Sequence, residues 1–179
     1  SQPQGPVEID YANSLSKGMA WLYLPSVEKE LVRSLPITKG SGYTRGPVAG
    51  GVGQVLDANS SITTPSASLN SSDTLTMFSV ASVKESLVSQ AAIVSHAGVG
   101  SGSAGSTVVG QAPYAGGGGA GAVVYYSPNY SGSIAASSPG GDFTPGNVVV
   151  IVATYRRNDA LRVYANGNLR ATTAAADYQ

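Results

Sequence analysis

"NVVVIVATY", residues 147–155, and "LRVYANGNLRATT", residues 161–173, decide the fold class between them. The first is a nearly continuous apolar run of strand length, as expected of a strand buried on both faces. "RRND" turns the chain, and "LRVYA" returns with Leu161, Val163 and Ala165 on one face and Arg162 and Tyr164 on the other. Asn166-Gly167 is the signal for a type I′ turn, because both central residues need positive φ, which Asn and Gly tolerate best. "NLRATT" is then the return strand.

Working outward, "TLTMFSVASVK", 74–84, alternates as a strand with apolar groups on both faces, which predicts a mid-sheet position. "GQVLDA", "SSITTP", "AAIVSHAG" and "GAVVYYSP" read as further strands. "GMAWLYLP", 18–25, reads as a buried strand stopped by Pro25. Residues 98–121, rich in glycine, read as a loop that drapes over the surface or meets a neighbouring molecule. "VEKELVRSL", 27–35, is the best helical candidate, with Val27, Leu31 and Leu35 at a spacing of four; a loop with one turn of helix is the alternative. Residues 1–13, with Pro3, Gly5 and Pro6 ahead of "VEIDY", read as an extended arm in which Val7, Ile9 and Tyr11 alternate with charges. Strands punctuated by Gly, Pro and Ser turns argue an all-β sandwich.

The 179 residues suit one domain with a sizeable core. Ten basic and ten acidic residues give zero formal net charge, so nothing points to nucleic acid. Only 11% of residues are charged, against roughly 25% in ordinary soluble domains. Such a surface resists association poorly and favours a protein that lives in an assembly. Cysteine is absent, which excludes disulfides, thiol catalysis and Cys-based zinc sites. Residues 1–18 show no basic region followed by an apolar run, so no signal peptide is visible. "VVVIVA" is far shorter than the roughly 20 apolar residues that span a membrane, so no membrane insertion is expected.

No catalytic constellation emerges. "GSGSAG", 100–105, matches a dinucleotide fingerprint in letters only: no helix pattern follows, and the first acid after it is Asp142. "GGGGAG", 116–121, lacks the Lys-Ser/Thr of a phosphate loop. His96 is the only histidine, and it reads as a strand-end residue. No G-x-S-x-G elbow occurs. The nearest pairs of carboxylates, Glu8/Asp10 and Glu28/Glu30, read as solvated charges rather than a glycosidase pair. Asp57 and Asp73 read as turn or cap residues, one acid per loop being too few oxygens for calcium. The three N-x-S/T sites, at Asn59, Asn70 and Asn129, carry no inference in a chain this rich in Ser and Asn. Tyr125, Tyr126 and Tyr130 are the densest group of the ten tyrosines and are the candidate contact to a glycan or a partner.

"NSLSKGMAWLYLP", the segment "GQVLDANSSITTPSASLNSSDTLTMFSVASVK", "AAIVSHAG" and the C-terminal hairpin resemble, in this order, the laminin-G-like, concanavalin-A-like jelly-roll domains. Val149, Ala153, Thr154, Tyr155, Leu161, Val163, Tyr164, Asn166, Gly167 and Leu169 match that family's best-marked hairpin. The opening segment looks like versions found in tailed-phage virion proteins. The resemblance implies an antiparallel two-sheet jelly-roll sandwich over residues 14–179, preceded by the arm 1–13. It also implies a non-enzymatic structural protein of a phage particle, as a capsid decoration, head-fibre or tail-fibre module. Its partners would be other virion proteins or copies of itself, with no cofactor or metal; a carbohydrate- or receptor-binding module is the alternative. The family's closing strands are missing after Thr173. The expectation is therefore a vacancy beside "GMAWLYLP", filled by Val7, Ile9 and Tyr11 of the arm or by a neighbour's strand, unless the natural chain continues.

Overall fold

The computed structural model describes residues 8–19, 22–24, 27–48, 51–56, 62–63, 74–82, 91–96, 107–114, 118–129, 132–137 and 147–174. They form antiparallel strands and turns, with one 3-10 turn at Ser14–Ser16 and no α-helix among them. The chain divides into two compact units, Ser1–Ala67 and Ser68–Gln179.

The first described residues of this unit form turns rather than a strand. Asp10 takes the Ala12 amide on its carboxylate at 2.9 Å and the Asn13 amide on its carbonyl at 3.1 Å. Ser16, buried, donates its hydroxyl to the carbonyls of Asp10 and Asn13. These local bonds compete with any ladder, so Glu8–Asp10 pair with no strand among the described residues, and Tyr11 lies exposed in a turn. Val7 is outside the described residues, and the strand expected of the arm is absent from the part that is described.

Three short pairings follow. β1 (Tyr23–Leu24) pairs with β2 (Lys29–Glu30), β3 (Thr38–Lys39) with β6 (Ile62–Thr63), and β4 (Tyr43–Val48) with β5 (Gly51–Leu56). The Leu31 amide donates to the Leu22 carbonyl at 2.9 Å and carries the β1–β2 contact one step further. The helix expected over 27–35 is overturned. Glu28 and Ser34 adopt left-handed backbone, at φ 54° and 53°, which a right-handed helix cannot contain. The amides of Val32, Arg33 and Leu35 go to the Glu30 carboxylate instead of helical carbonyls.

The second unit holds two four-stranded antiparallel sheets. One runs in the order β11 (Gly132–Ser137), β10 (Gly118–Asn129), β9 (Thr107–Tyr114), β8 (Ala91–His96). The other runs β14 (Asn168–Ala174), β13 (Ala160–Ala165), β12 (Val148–Arg156), β7 (Thr74–Ser82). β9 and the start of β10 lie within 98–121, so much of that segment is sheet and not loop. Its glycines are accommodated because the ladder supplies the order: Gly110 pairs with Val123 and Gly121 with Ala112, beside a bulge between Gly118 and Gly121. His96 ends β8, paired with Thr107.

The core sits on one face of the β7–β12–β13–β14 sheet. Val149, Ile151, Ala153 and Tyr155 of β12 are buried there with Leu161, Val163 and Ala165 of β13. β10 and β11 lie against β12, β13 and β14, and Ala136 of β11 is buried. The hairpin forms as expected: Asn166 and Gly167 have φ 49° and 81°. Asn166 adds what its turn propensity does not require. Its amide donates to the Val150 carbonyl at 2.9 Å, and its side-chain oxygen accepts the Val150 amide at 3.0 Å. The ladder thus runs one rung past β13.

Candidate interaction surface

β12 departs from the expectation of burial on both faces. Its odd positions 149–155 are buried, while its even positions 148–156 form an outer face. The sequence places β7 in mid-sheet, but among the described residues it is the edge strand of its sheet, and its outer positions are Thr74, Thr76, Phe78, Val80 and Ser82. Register brings the outer positions together: Val150 opposite Val80, Val152 opposite Phe78 and Tyr164, and Tyr164 opposite Leu169.

The result is an apolar band across all four strands. Val80 is 65% exposed, Leu169 55%, Phe78 50%, Val150 39% and Val148 37%. An antiparallel sheet with one face on a core ordinarily alternates apolar inward and polar outward. Here the alternation fails on the outer side over Val148–Val152 and returns only at Thr154 and Arg156, beside Thr76, Arg162 and Thr74. The apolar excess is legible in the sequence, where it reads as burial on both faces. What distinguishes the two readings is whether a layer packs on one face or on both, and a strand's own letters do not record that.

The basic end of the same sheet is chemically distinct. Thr74, Arg156, Arg157 and Asn158 line an open hollow. Arg162 grips Asp159 with two hydrogen bonds, 2.9 and 3.0 Å, which hold the Asp159 carboxyl below its usual range. The carboxylate neutralises this guanidinium in place.

The most elaborate polar group belongs to the first unit. The Tyr43 hydroxyl donates to Glu28, Lys39 Nζ lies 2.9 Å from the other Glu28 oxygen, and the same ammonium sits 4.6 Å from the centre of the Tyr43 ring. Tyr43 and Lys39 hold the Glu28 carboxyl low, whereas burial and then the Glu28 bond push the Tyr43 phenol up. An ionised acid, a neutral phenol and a charged amine therefore satisfy one another. Their effect is to tie the β1–β2 hairpin to β3 and β4.

Glu30 is the other surprise among the carboxylates. Expected to be solvated, it is 3% exposed and accepts four backbone amides, from Leu22, Val32, Arg33 and Leu35. Burial pushes its carboxyl up, yet the four donors outweigh that and leave it below the ordinary value. Its lone pairs are committed to the backbone, so Glu28 and Glu30 do not form a pair that could flank a sugar bond. No signal in the sequence separates the two, because both readings need only a Glu in a polar stretch.

Of the expected contact residues, Tyr125 and Tyr126 are consecutive positions of β10, in ladders with both β9 and β11. Tyr130, Asp57, Asp73, Asn59, Asn70 and the 100–105 glycine motif lie outside the described residues. Ile9 is half-buried and Tyr11 exposed. No family model, curated protein or solved structure matches the chain.

Proposed function

We propose that this chain is a non-enzymatic structural module that works through protein–protein contact, with the outer face of the β7–β12–β13–β14 sheet as its docking surface. The observation that carries the reading is the placement of Phe78, Val80, Val148, Val150 and Leu169 on that one face. Fully burying a side chain of this kind stabilises by about 1.5–3 kcal/mol. Half-exposed Phe78 and Val80 would each gain on the order of 1 kcal/mol when covered. Contiguous exposed apolar patches on this scale mark interaction sites, and a chain with only 11% charged residues has little else to keep such a face in water.

The jelly-roll sandwich of the laminin-G-like kind is the finer architecture we attach to this reading. Two four-stranded antiparallel sheets in one unit support it, as does the contact of β10 and β11 with β12, β13 and β14. A place in a tailed-phage particle rests on the likeness of "NSLSKGMAWLYLP" to virion modules and on the low charge. Immunoblotting of gradient-purified phage particles from the source of the chain tests it. The chain should co-purify at the abundance of a structural protein, and a Phe78→Ser/Val80→Ser chain should be lost from the particles. Particles free of the chain would overturn the virion role, and unimpaired incorporation of the variant would overturn the surface.

A further inference from the structure

We propose that Asn166 is a site of spontaneous deamidation in the folded protein, reached by a flip of the single peptide that joins it to Gly167.

Asn166-Gly167 is the only Asn-Gly in the chain. Its chemistry needs no enzyme. The Gly167 nitrogen, its proton taken by hydroxide, attacks the Asn166 Cγ; a C–N bond closes a succinimide ring and ammonia leaves. Water then opens the ring to aspartate or to isoaspartate. Glycine favours the attack because no side chain shields its nitrogen. Both residues are exposed, and the space around Gly167 is open, since an added Cβ meets nothing within 4 Å.

The turn controls the reaction. Ala165 pairs with Asn168, so Asn166 and Gly167 are the whole loop. Gly167 has φ 81°, which identifies type I′, since type II′ has a negative φ at that position. Type I′ sets ψ near about +30° at Asn166, which points the Gly167 nitrogen away from the Asn166 side chain. Type II′ keeps the positive φ that Asn166 already has, 49°, and sets ψ near about −120°. That value eclipses the Gly167 nitrogen with the Asn166 Cβ and brings it to Cγ. Both turns close two-residue hairpins, so the flip between them leaves the ladder standing.

Two hydrogen bonds oppose the reaction. Asn168 Nδ2 donates to the Asn166 carbonyl, which belongs to the flipping peptide, at 3.3 Å. The Val150 amide holds Asn166 Oδ1 at 3.0 Å, and the carboxamide leaves it to meet Gly167. Neutral hydrogen bonds are individually modest, so these slow the reaction without closing it. Asn168 is thus a positioning residue for the modification. Aspartate keeps an oxygen for the Val150 amide and adds one negative charge to a chain of zero formal net charge. Isoaspartate routes the main chain through Cβ and Cγ, which lengthens the loop and breaks the register of β13 with β14.

Peptide mapping by mass spectrometry of the full chain, aged in mildly alkaline buffer, tests the proposal. Asn166 should convert ahead of every other asparagine while circular dichroism stays native. Asn168→Ala should quicken conversion by about two- to tenfold in the folded chain, as loss of one neutral hydrogen bond allows, and leave it unchanged in urea. Leu161 is fully buried at the far end of β13, so Leu161→Ala weakens the core without touching the turn. It should leave the rate at Asn166 within about threefold, whereas a route through global unfolding would quicken it by at least about thirtyfold. Acceleration of about tenfold or more in Leu161→Ala overturns the folded-state route. An Asn166 still intact after the urea-unfolded chain has converted overturns the site. Equal folded-state rates in Asn168→Ala and the parent chain overturn the flip.

Discussion

Replacing Glu30 by Gln tests whether one buried carboxylate organises the residues 22–35. The carboxylate Oε1 accepts the amides of Leu22 at 3.2 Å and Val32 at 2.9 Å, and Oε2 accepts those of Arg33 at 2.8 Å and Leu35 at 3.2 Å. Gln keeps the shape and one oxygen. Its NH2 group then faces two backbone donors, and either amide orientation loses one short and one long bond. A hydrogen bond to a charged group contributes about 1.5–3 kcal/mol. Two losses, one of them long, put the cost near about 3 kcal/mol. At about 1.4 kcal/mol per tenfold, native-state hydrogen exchange at Val32, Arg33 and Leu35 should quicken by about a hundredfold. Acid should mimic the substitution. The folded carboxyl titrates below its ordinary 4.5, so its stabilisation is complete above that pH and is lost as the pH falls through the folded value. The variant should lack this acid-linked loss. Protection unchanged within about threefold, or an identical acid profile in the variant, would refute the idea that Glu30 holds this segment.

Ile151 is fully buried on β12 between Ser79 and Ala165, so Ile151→Ala should cost about 3 kcal/mol in urea unfolding of the second unit. The Ser79 hydroxyl is buried without a hydrogen-bond partner among the described residues, so Ser79→Ala should raise stability by about 1 kcal/mol; a loss instead would reveal a bond to it. Gly167→Ala should destabilise by about 1 kcal/mol through backbone strain alone, since φ is 81° and an added Cβ meets nothing within 4 Å. Asn at the same position, tolerant of left-handed backbone, should recover much of the thermal midpoint lost by Ala.

The C-terminal hairpin was legible from its letters because its determinants are local. Alternation in "LRVYA" and the positive φ demanded at Asn166-Gly167 act over a few residues, and the structure realises both. The antiparallel all-β class was legible for the same reason. Three features were not. The apolar run Val148–Val152 reads the same whether one face or two are covered, and only the packing of one face of the sheet left Val80 and Phe78 outside with Val150. The four-residue spacing of Val27, Leu31 and Leu35 satisfies a helix equally well until Glu30 finds its four amides, a contact between groups up to eight residues apart. The glycines of 98–121 cannot order a chain by themselves, and strands on either side order them. Sequence therefore determined periodicity and turns, which are properties of neighbours along the chain. Tertiary structure alone decided which face of β12 is covered and which carboxylate is buried, because burial is set by what arrives from elsewhere.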